Sequence, residues 1–354
     1  MVSPSPTLKL RENMELAWYW TALIAFAIVN FLLVSASVLV YAERKVSGYM
    51  QNRPGPNRVG PFGFLQPFAD VLKLVFKENI VPVLANPFVH SLAPMLMVVI
   101  AMGAGALIPF AHNVVIADMD VSVLVLLALT SISVYGVTLA GWSSNSKYSL
   151  LGGLRSSAQM ISYELSMGLA VLSVVLIAGS LSLTEIVEDQ AGGWGLLGWN
   201  VFRNPIGAIL FIVTAFAETN RAPFDLPEAE QELVGGYHTE YSGMKFGMFF
   251  LAEYVNFFIA SFIIVTLFFG GYMLPFEALI LGAFPVLVDS AWLTVLQLGS
   301  VLVKAGFFAF VFIWVRWTLP RFKYTQLMTL GWKYLLPIAL ANMLLVALGV
   351  ALFS

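Results

Sequence analysis

Six uncharged apolar runs, each long enough to cross a lipid bilayer, constrain the fold of this chain more than any other feature. A spanning helix needs roughly 20 apolar residues at about 1.5 Å of rise per residue. Hydrophobic residues make up 59% of the sequence and charged residues only 11%, which indicates an integral membrane protein and not a soluble domain. The runs are Leu16–Ala42, Pro87–Phe110, Val121–Trp142, Leu165–Leu183, Tyr254–Phe276 and Tyr334–Ser354.

Two further segments are apolar but less regular. Pro205–Ala217 alone reaches only about 20 Å against a hydrocarbon core of roughly 30 Å. It spans only if Leu196–Phe202 extends the helix and Arg203 reaches outward to water. Ser290–Val315 spans only if Lys304 is tolerated inside the membrane. With both included, the sequence predicts an all-α fold of eight transmembrane helices.

Lysine and arginine divide unevenly between the two sides of such a bundle. Connections after the odd-numbered helices hold 14 of the 18 basic residues, whereas those after the even-numbered helices hold Arg203 alone. The positive-inside rule then places both termini on the outer, periplasmic side. We expect a polar tail, 1–15, and a single transmembrane domain, 16–354, in the inner (plasma) membrane or an organellar inner membrane. The first run predicts a retained helix and not a signal peptide.

Cysteine is absent from the chain, and its three histidines are scattered. A thiolate-ligated iron–sulfur cluster, a Cys-type zinc site and a disulfide framework are therefore excluded. We expect no metal site and no redox centre in this chain.

The first inner connection, from Glu43 to Asn86, is not an ordinary loop. Glycine and proline interrupt 51–63 and forbid a helix there. Apolar residues then repeat at helical spacing and predict an amphipathic helix at about 64–78. Such a helix either lies in the headgroup plane or lines an amphiphilic cavity at the membrane surface, and the two interpretations are compatible. The connection has no phosphate-binding fingerprint.

A hydrophilic connection at about 218–245 concentrates carboxylates next to lipid. Asp225-Leu-Pro-Glu228 is typical of a helix start and Gly235-Gly236 of its end, so some of the acids have a capping interpretation. Glu228 and Glu232 would repel each other one turn apart, at a cost of about 0.2–0.5 kcal/mol. A proton, cation or basic partner is the alternative explanation for the acids, which are Glu218, Asp225, Glu228, Glu230, Glu232 and Glu240.

Three ionisable residues fall inside the predicted spans: Glu164, Glu253 and Lys304. Each costs about 2.5–3.5 kcal/mol at a helix centre, so each should face the bundle or a wet cavity. One interpretation is a buried pair of Lys304 with either glutamate. The favoured one is a proton relay that continues inward from Glu218, because the acids outnumber the base.

Four separated motifs resemble the H-subunit family of respiratory NADH:quinone oxidoreductase, the quinone-site membrane subunits of complex I. The resemblance runs from about Leu16 to the C-terminus. The motifs are Ala42-Glu-Arg-Lys45, Arg53-Pro-Gly-Pro-Asn-Arg-Val-Gly-Pro61, Ser146-Lys-Tyr-Ser-Leu-Leu-Gly152 and Ala222-Pro-Phe-Asp-Leu-Pro-Glu-Ala-Glu-Gln-Glu-Leu-Val-Gly-Gly-Tyr-His-Thr-Glu-Tyr241.

The resemblance implies a subunit of a proton-translocating enzyme. Flavin and iron–sulfur clusters belong to partner subunits in that family, and quinone is the substrate. This subunit floors the quinone chamber beneath the peripheral arm, and its membrane neighbours are small and antiporter-like subunits in the lipid bilayer. Nucleic-acid binding is disfavoured, since the basic residues follow the topology.

The resemblance also implies roles for individual residues. The amphipathic helix would line the quinone portal, and the acidic loop with Arg221 would contact the peripheral arm. Quinone-chamber residues would be Glu43, Arg44, Arg53, Phe224 and Asp225. Proton-coupling residues would be Glu218, Glu164, Glu253, Glu228, Glu230, Glu232 and Lys304.

One departure from the family lies in the third predicted helix. Some members carry a glutamate there, whereas this chain has only the hydroxyls of Thr130, Ser131 and Ser133. The relay is therefore expected to be shorter or more dependent on water. Alternatives to an NADH-linked enzyme are a membrane anchor of a ferredoxin-, deazaflavin- or formate-linked relative or of a membrane-bound hydrogenase, and, from another class, a stand-alone proton or cation transporter. The transporter is disfavoured because the sequence lacks an internal repeat.

Overall fold

The computed structural model describes residues 18–112, 114–191, 195–225, 234–277 and 291–353. Every named element within these ranges is helical, which confirms the predicted all-α class. The α-helices are α1 (Trp18–Met50), α2 (Gln66–Phe76), α3 (Pro87–Gly105), α4 (Ser122–Ser143), α5 (Lys147–Ala178), α6 (Leu183–Asp189), α7 (Asn200–Arg203), α8 (Pro205–Glu218), α9 (Gly243–Phe268), α10 (Ala291–Thr318), α11 (Tyr324–Thr329) and α12 (Leu336–Phe353).

Seven stretches within the described residues are long and apolar enough to cross a membrane. They are α1, α3, α4, α5, α9, α10 and the continuous segment of α11 and α12, which a π-helical turn at Leu330–Leu335 joins. The chain is therefore a multi-pass membrane protein. The eighth span and the outer location of both termini stay predictions.

The weakest predicted span differs from the expectation. α8 has 14 residues, about 21 Å, and the extension by Leu196–Phe202 is wrong. A short 3₁₀ turn and α7 precede it, and Asn204 breaks the helix with φ −142° and ψ 71°. The side chain of Asn204 then caps α8 by accepting from Gly207 N. Arg203 pairs with Asp189 at this end of the bundle.

Two long helices continue past the uncharged runs that predicted them. α1 extends eight residues beyond Ala42, so Glu43 and Arg44 are helical. α5 begins at Lys147, well before Leu165, and its first half carries many buried serines. A search for uncharged runs stops at each charge, whereas a helix inside a bundle continues wherever the charge finds a partner.

The predicted amphipathic helix is present as α2, slightly shorter than expected. Its apolar residues Val71, Leu72 and Val75 remain about half exposed on the chain alone. α2 packs against α1 and α9, so one of its sides covers the bundle. The preceding segment forms turns and a 3₁₀ helix at Pro61–Gly63, as its glycines and prolines predict.

α5 and α9 form the centre of the bundle. α5 packs against α4, α8 and α12, while α9 packs against α3, α10 and α1. Close approach depends on Gly152 of α5, where a Cβ atom would lie 2.8 Å from the backbone of Gly236. This contact fixes the segment after the acidic loop against the bundle.

Candidate functional site

A cluster of buried ion pairs joins α1, α9, α10 and the turn after α8. Arg221 Nη1 and Arg316 Nη1 each donate to the Glu43 carboxylate at 2.7 Å, on different oxygens. Arg221 Nε lies 3.2 Å from Glu253 Oε1. The Arg221 side chain is fully buried and that of Glu43 is 5% exposed. These four residues are called the Arg221 cluster.

The local sequence brings Arg221 into the bundle. α8 ends at Glu218, and Asn220 takes a left-handed conformation with φ 52°, a conformation that asparagine adopts more readily than most residues. The guanidinium then lies 4.4 Å from the Tyr254 ring centroid and 4.2 Å from that of Phe257, one turn further along α9. Aromatic faces favour a desolvated cation, so the rings offset part of its burial cost.

The cluster is held by charge balance. Burial alone would lower the pKa of Arg221, but Glu43 and Glu253 raise it above its ordinary value. Two guanidinium groups face two carboxylates, so the set is close to neutral while all four are charged. Arg221 Nη2 has no hydrogen-bond partner within the part of the chain that the structure describes. Loss of one member would leave an uncompensated buried charge.

A second acidic group lies beside this cluster, at the end of α8. Glu218 lines two small cavities together with Thr219, Ser133 and Asn256. The first cavity, about 20 Å³, also touches Glu253. The second, about 50 Å³, extends to Thr130. A water molecule needs roughly 10–15 Å³ on this measure, so both cavities have room for water next to carboxylates.

Glu164 extends the acidic row on the far side of these cavities. Ser131 Oγ donates to Glu164 Oε1 and also to the carbonyl of Leu127. The hydroxyls of α4 therefore connect the cavity wall to the carboxylate on α5. They occupy the region in which the family resemblance implies a glutamate for some members.

A larger cavity of about 570 Å³ opens between α1, α2 and α9. Its walls are apolar at Val71, Leu74 and Phe250, and Arg44 and Tyr254 also line it. Arg44 pairs with Asp70 of α2 at its rim. Because Tyr254 touches both this cavity and Arg221, one ring separates the surface cavity from the buried cluster.

Two titratable residues near this cavity stay neutral. Burial raises the pKa of Tyr241, which lines the cavity, to about 12, although Ser143 and Ser144 oppose the shift. Burial lowers the pKa of His238 to about 4. Neither side chain therefore changes charge near neutral pH.

The structure brings together part of the predicted chamber set. Glu43 belongs to the Arg221 cluster and Arg44 to the surface cavity. Phe224 is buried against Tyr163. The carbonyl of Asp225 accepts from Arg321.

Other predicted residues lie apart from that set. Arg53 is exposed and donates from Nε to Gln51. The predicted helix that starts at Asp225, together with Glu228, Glu230 and Glu232, lies outside the described residues.

Sequence reasoning missed two members of the site. Arg316 appeared only as one basic residue of an inner connection, yet it shares the Glu43 carboxylate. Tyr254 carried no signal beyond its place in an apolar run. A charged pair 273 residues apart leaves no local pattern in the sequence.

Lys304 does not pair with either glutamate, so that interpretation is wrong. Its Nζ donates to the carbonyls of Phe269, Gly271 and Met273 at 3.0, 3.0 and 2.6 Å. These carbonyls lie at and beyond the end of α9. Glu253 is 16 residues before Phe269, about 24 Å along a helix. The contacts support a structural role, in which Lys304 satisfies orphan carbonyls and complements the helix dipole.

We predict that Lys304→Met lowers the stability of the protein by about 2 kcal/mol while coupling is retained, because three carbonyls lose a charged donor. Lys304→Arg, which keeps the charge, is the matched control and should be milder. Thermal unfolding in detergent and proton pumping by the reconstituted complex measure the two effects. Normal stability with lost pumping would instead support the proton-coupling role.

Comparison with known proteins identifies the family. The NADH dehydrogenase family model matches residues 22–347. NADH-quinone oxidoreductase subunit 8 of Rhodothermus marinus is 75% identical over 341 residues, which cover 96% of this chain and 100% of that protein. An NADH-quinone oxidoreductase subunit of Salinibacter ruber is 72% identical over 95% of this chain and 97% of its own length. Its namesake in Rhodospirillum centenum is 50% identical over 89% of each chain.

These matches extend over almost the whole chain and confirm the resemblance carried by its four motifs. The chain therefore belongs to the NADH dehydrogenase family, among the subunits named H or 8 of NADH-quinone oxidoreductase, respiratory complex I. It is one subunit of a multi-subunit enzyme.

Proposed function

We propose that this chain, as a membrane subunit of an NADH-quinone oxidoreductase, forms the floor and portal of the quinone chamber and couples quinone reduction to proton translocation. The observation that carries the proposal is continuity. Tyr254 joins the surface cavity to Arg221, and Glu253 joins the Arg221 cluster to the small cavities beside Glu218.

The surface cavity suits an amphiphilic quinone. Pockets for small molecules commonly have volumes of about 300–1,000 Å³ and mostly apolar walls with a few polar groups, as this one has. The apolar side chains of α2 and α9 would accept an isoprenoid tail. Arg44 and Asp70 at the rim would stay near the membrane surface.

Reduction of quinone to quinol takes up two electrons and two protons. Negative charge that develops on the headgroup attracts the cations of the Arg221 cluster and weakens their hold on Glu43 and Glu253. Each carboxylate then binds a proton more readily, because an opposite charge has moved away. The cluster would in this way convert the redox state of the chamber into a protonation state.

The proton route continues through water. Glu253 and Glu218 share one cavity, and Glu218 shares the next with Thr130 and Ser133. Water in these cavities would carry protons towards Ser131 and Glu164. This chain would thus replace the absent glutamate of α4 by hydroxyls and water.

The remaining features of the proposal follow from family membership and charge. Electrons would arrive from flavin and iron–sulfur clusters in partner subunits. The acidic loop, with Glu228, Glu230 and Glu232, would contact the peripheral arm, and small and antiporter-like subunits would adjoin the bundle. An inner membrane, eight spans formed with α8, a single transmembrane domain and both termini outside complete the proposed arrangement.

The portal is tested by filling the cavity from α2. We expect Val71→Trp to lower kcat/KM for a long-chain quinone about tenfold, which corresponds to about 1.4 kcal/mol, because Val71 lines the cavity. Val75→Trp is the matched control, since Val75 is also about half exposed on α2 but does not line the cavity. Steady-state quinone reduction measures the effect, and NADH oxidation by ferricyanide should not change. Equal effects of the two substitutions would contradict the portal.

A further inference from the structure

A groove of about 550 Å³ lies between the end of α5, the start of α8 and α12. The proposed quinone and proton routes do not use it. Along α12 its wall repeats at helical spacing and covers eight residues, about 12 Å. The apolar residues that line it are Ile177, Ile206, Leu345, Val346, Gly349 and Val350.

Asn342 introduces a polar donor at the inner end of this apolar strip. Its side chain is 5% exposed and lines the groove. Asn342 Nδ2 has no hydrogen-bond partner within the described ranges. An unpaired amide in an apolar environment costs about 1–3 kcal/mol, as measured in protein mutants, so an acceptor inside the groove would be strongly favoured.

Arg203 supplies a cation at the same groove. It directly precedes the break before α8, so it lies at the end of a membrane helix and close to the membrane surface. Nη1 pairs with Asp189, and the side chain is 35% exposed. A guanidinium has five N–H donors, so the pair with Asp189 leaves others for an anion. The adjacent helix N-terminus favours negative charge as well.

We propose that this groove is a specific site for an anionic glycerophospholipid. The phosphate would bind Arg203, an acyl chain would lie along the strip from Val350 to Leu345, and Asn342 would donate to a glycerol ester carbonyl. A neighbouring transmembrane helix fits these groups less well. Its backbone carbonyls are already bonded within the helix, and it carries no phosphate for Arg203.

The proposal is independent of the quinone function and can be tested in the assembled complex. Because the chain has no cysteine, Leu345→Cys places a single thiol of this subunit in the groove, where Leu345 is 64% exposed. A benzophenone maleimide on this thiol captures its neighbour on illumination. The complex is placed in nanodiscs of phosphatidylglycerol and phosphatidylcholine, and mass spectrometry of the subunit identifies the adduct.

We expect a phosphatidylglycerol adduct enriched at least about threefold over its share of the bilayer, which corresponds to about 0.7 kcal/mol. Arg203→Gln together with Asn342→Leu should abolish this enrichment. Asn30→Leu in α1 is the control, since Asn30 is exposed and already donates to Phe26 O, and it should leave the enrichment unchanged. An adduct with a neighbouring subunit would overturn the proposal in favour of a protein contact. Lipid capture in proportion to bilayer composition, or insensitive to the double substitution, would overturn it in favour of bulk lipid.

Discussion

Arg221→Met is expected to destabilise the protein by about 3–5 kcal/mol and to remove most of the quinone reductase activity, because it leaves buried carboxylates without their cation. Arg221 is fully buried and contacts Glu43 and Glu253 at 2.7 and 3.2 Å. Arg316 alone cannot reach both. Thermal unfolding of the purified complex and steady-state quinone reduction measure the two losses, while NADH oxidation by ferricyanide should be retained.

Matched variants separate a charge effect from a packing effect. Arg58→Met removes an exposed arginine and should leave both measurements unchanged. Arg221→Met combined with Glu43→Gln should recover part of the lost stability, since one unpaired charge is removed together with its partner. If the double variant were no more stable than Arg221→Met, the loss would come from packing against Tyr254 and Phe257. Full quinone reductase activity of Arg221→Met would contradict the proposed role of the cluster.

The apolar runs predict most of the fold because a membrane segment is specified locally. Length and the lack of charge suffice to place α3, α4 and α10 to within a few residues. The same criterion fails where the bundle pairs a charge, as at Glu43, so the last two turns of α1 extend beyond the predicted run. It also fails at α8, because the helix break depends on Asn204 bonding both its own helix and Ser173 of α5.

The site could be predicted only in part, for a different reason. Individual carboxylates in or beside apolar runs stand out, as Glu164, Glu218 and Glu253 do. Their partners come from elements far apart in the chain, since Glu43 meets Arg221 across 178 residues. Lys304 shows the limit most clearly. Its charge predicts a partner among the glutamates, but the folded chain supplies three backbone carbonyls instead.

Glu218→Gln is expected to abolish most proton pumping by the reconstituted complex while NADH oxidation by ferricyanide stays normal. Glu218 lines both small cavities, so it lies between Glu253 and the hydroxyls that lead to Glu164. A neutral amide keeps the shape of the side chain but cannot store or release the proton. Glu164→Gln should give the same loss, and a pH-sensitive dye in vesicles measures pumping against quinone turnover.

The control for this prediction is a carboxylate outside the row. Glu185→Gln changes an exposed residue in the first turn of α6 and should leave pumping unchanged. Ser131→Ala should weaken pumping less than either glutamine variant, because water can replace a hydroxyl but not a carboxylate. Since Glu218 and Glu164 occupy opposite sides of the same water-sized cavities, wild-type pumping in both glutamine variants would remove the carboxylate route. Loss in Glu218→Gln alone would end the route at α8 and leave Glu164 as a buried partner of Ser131.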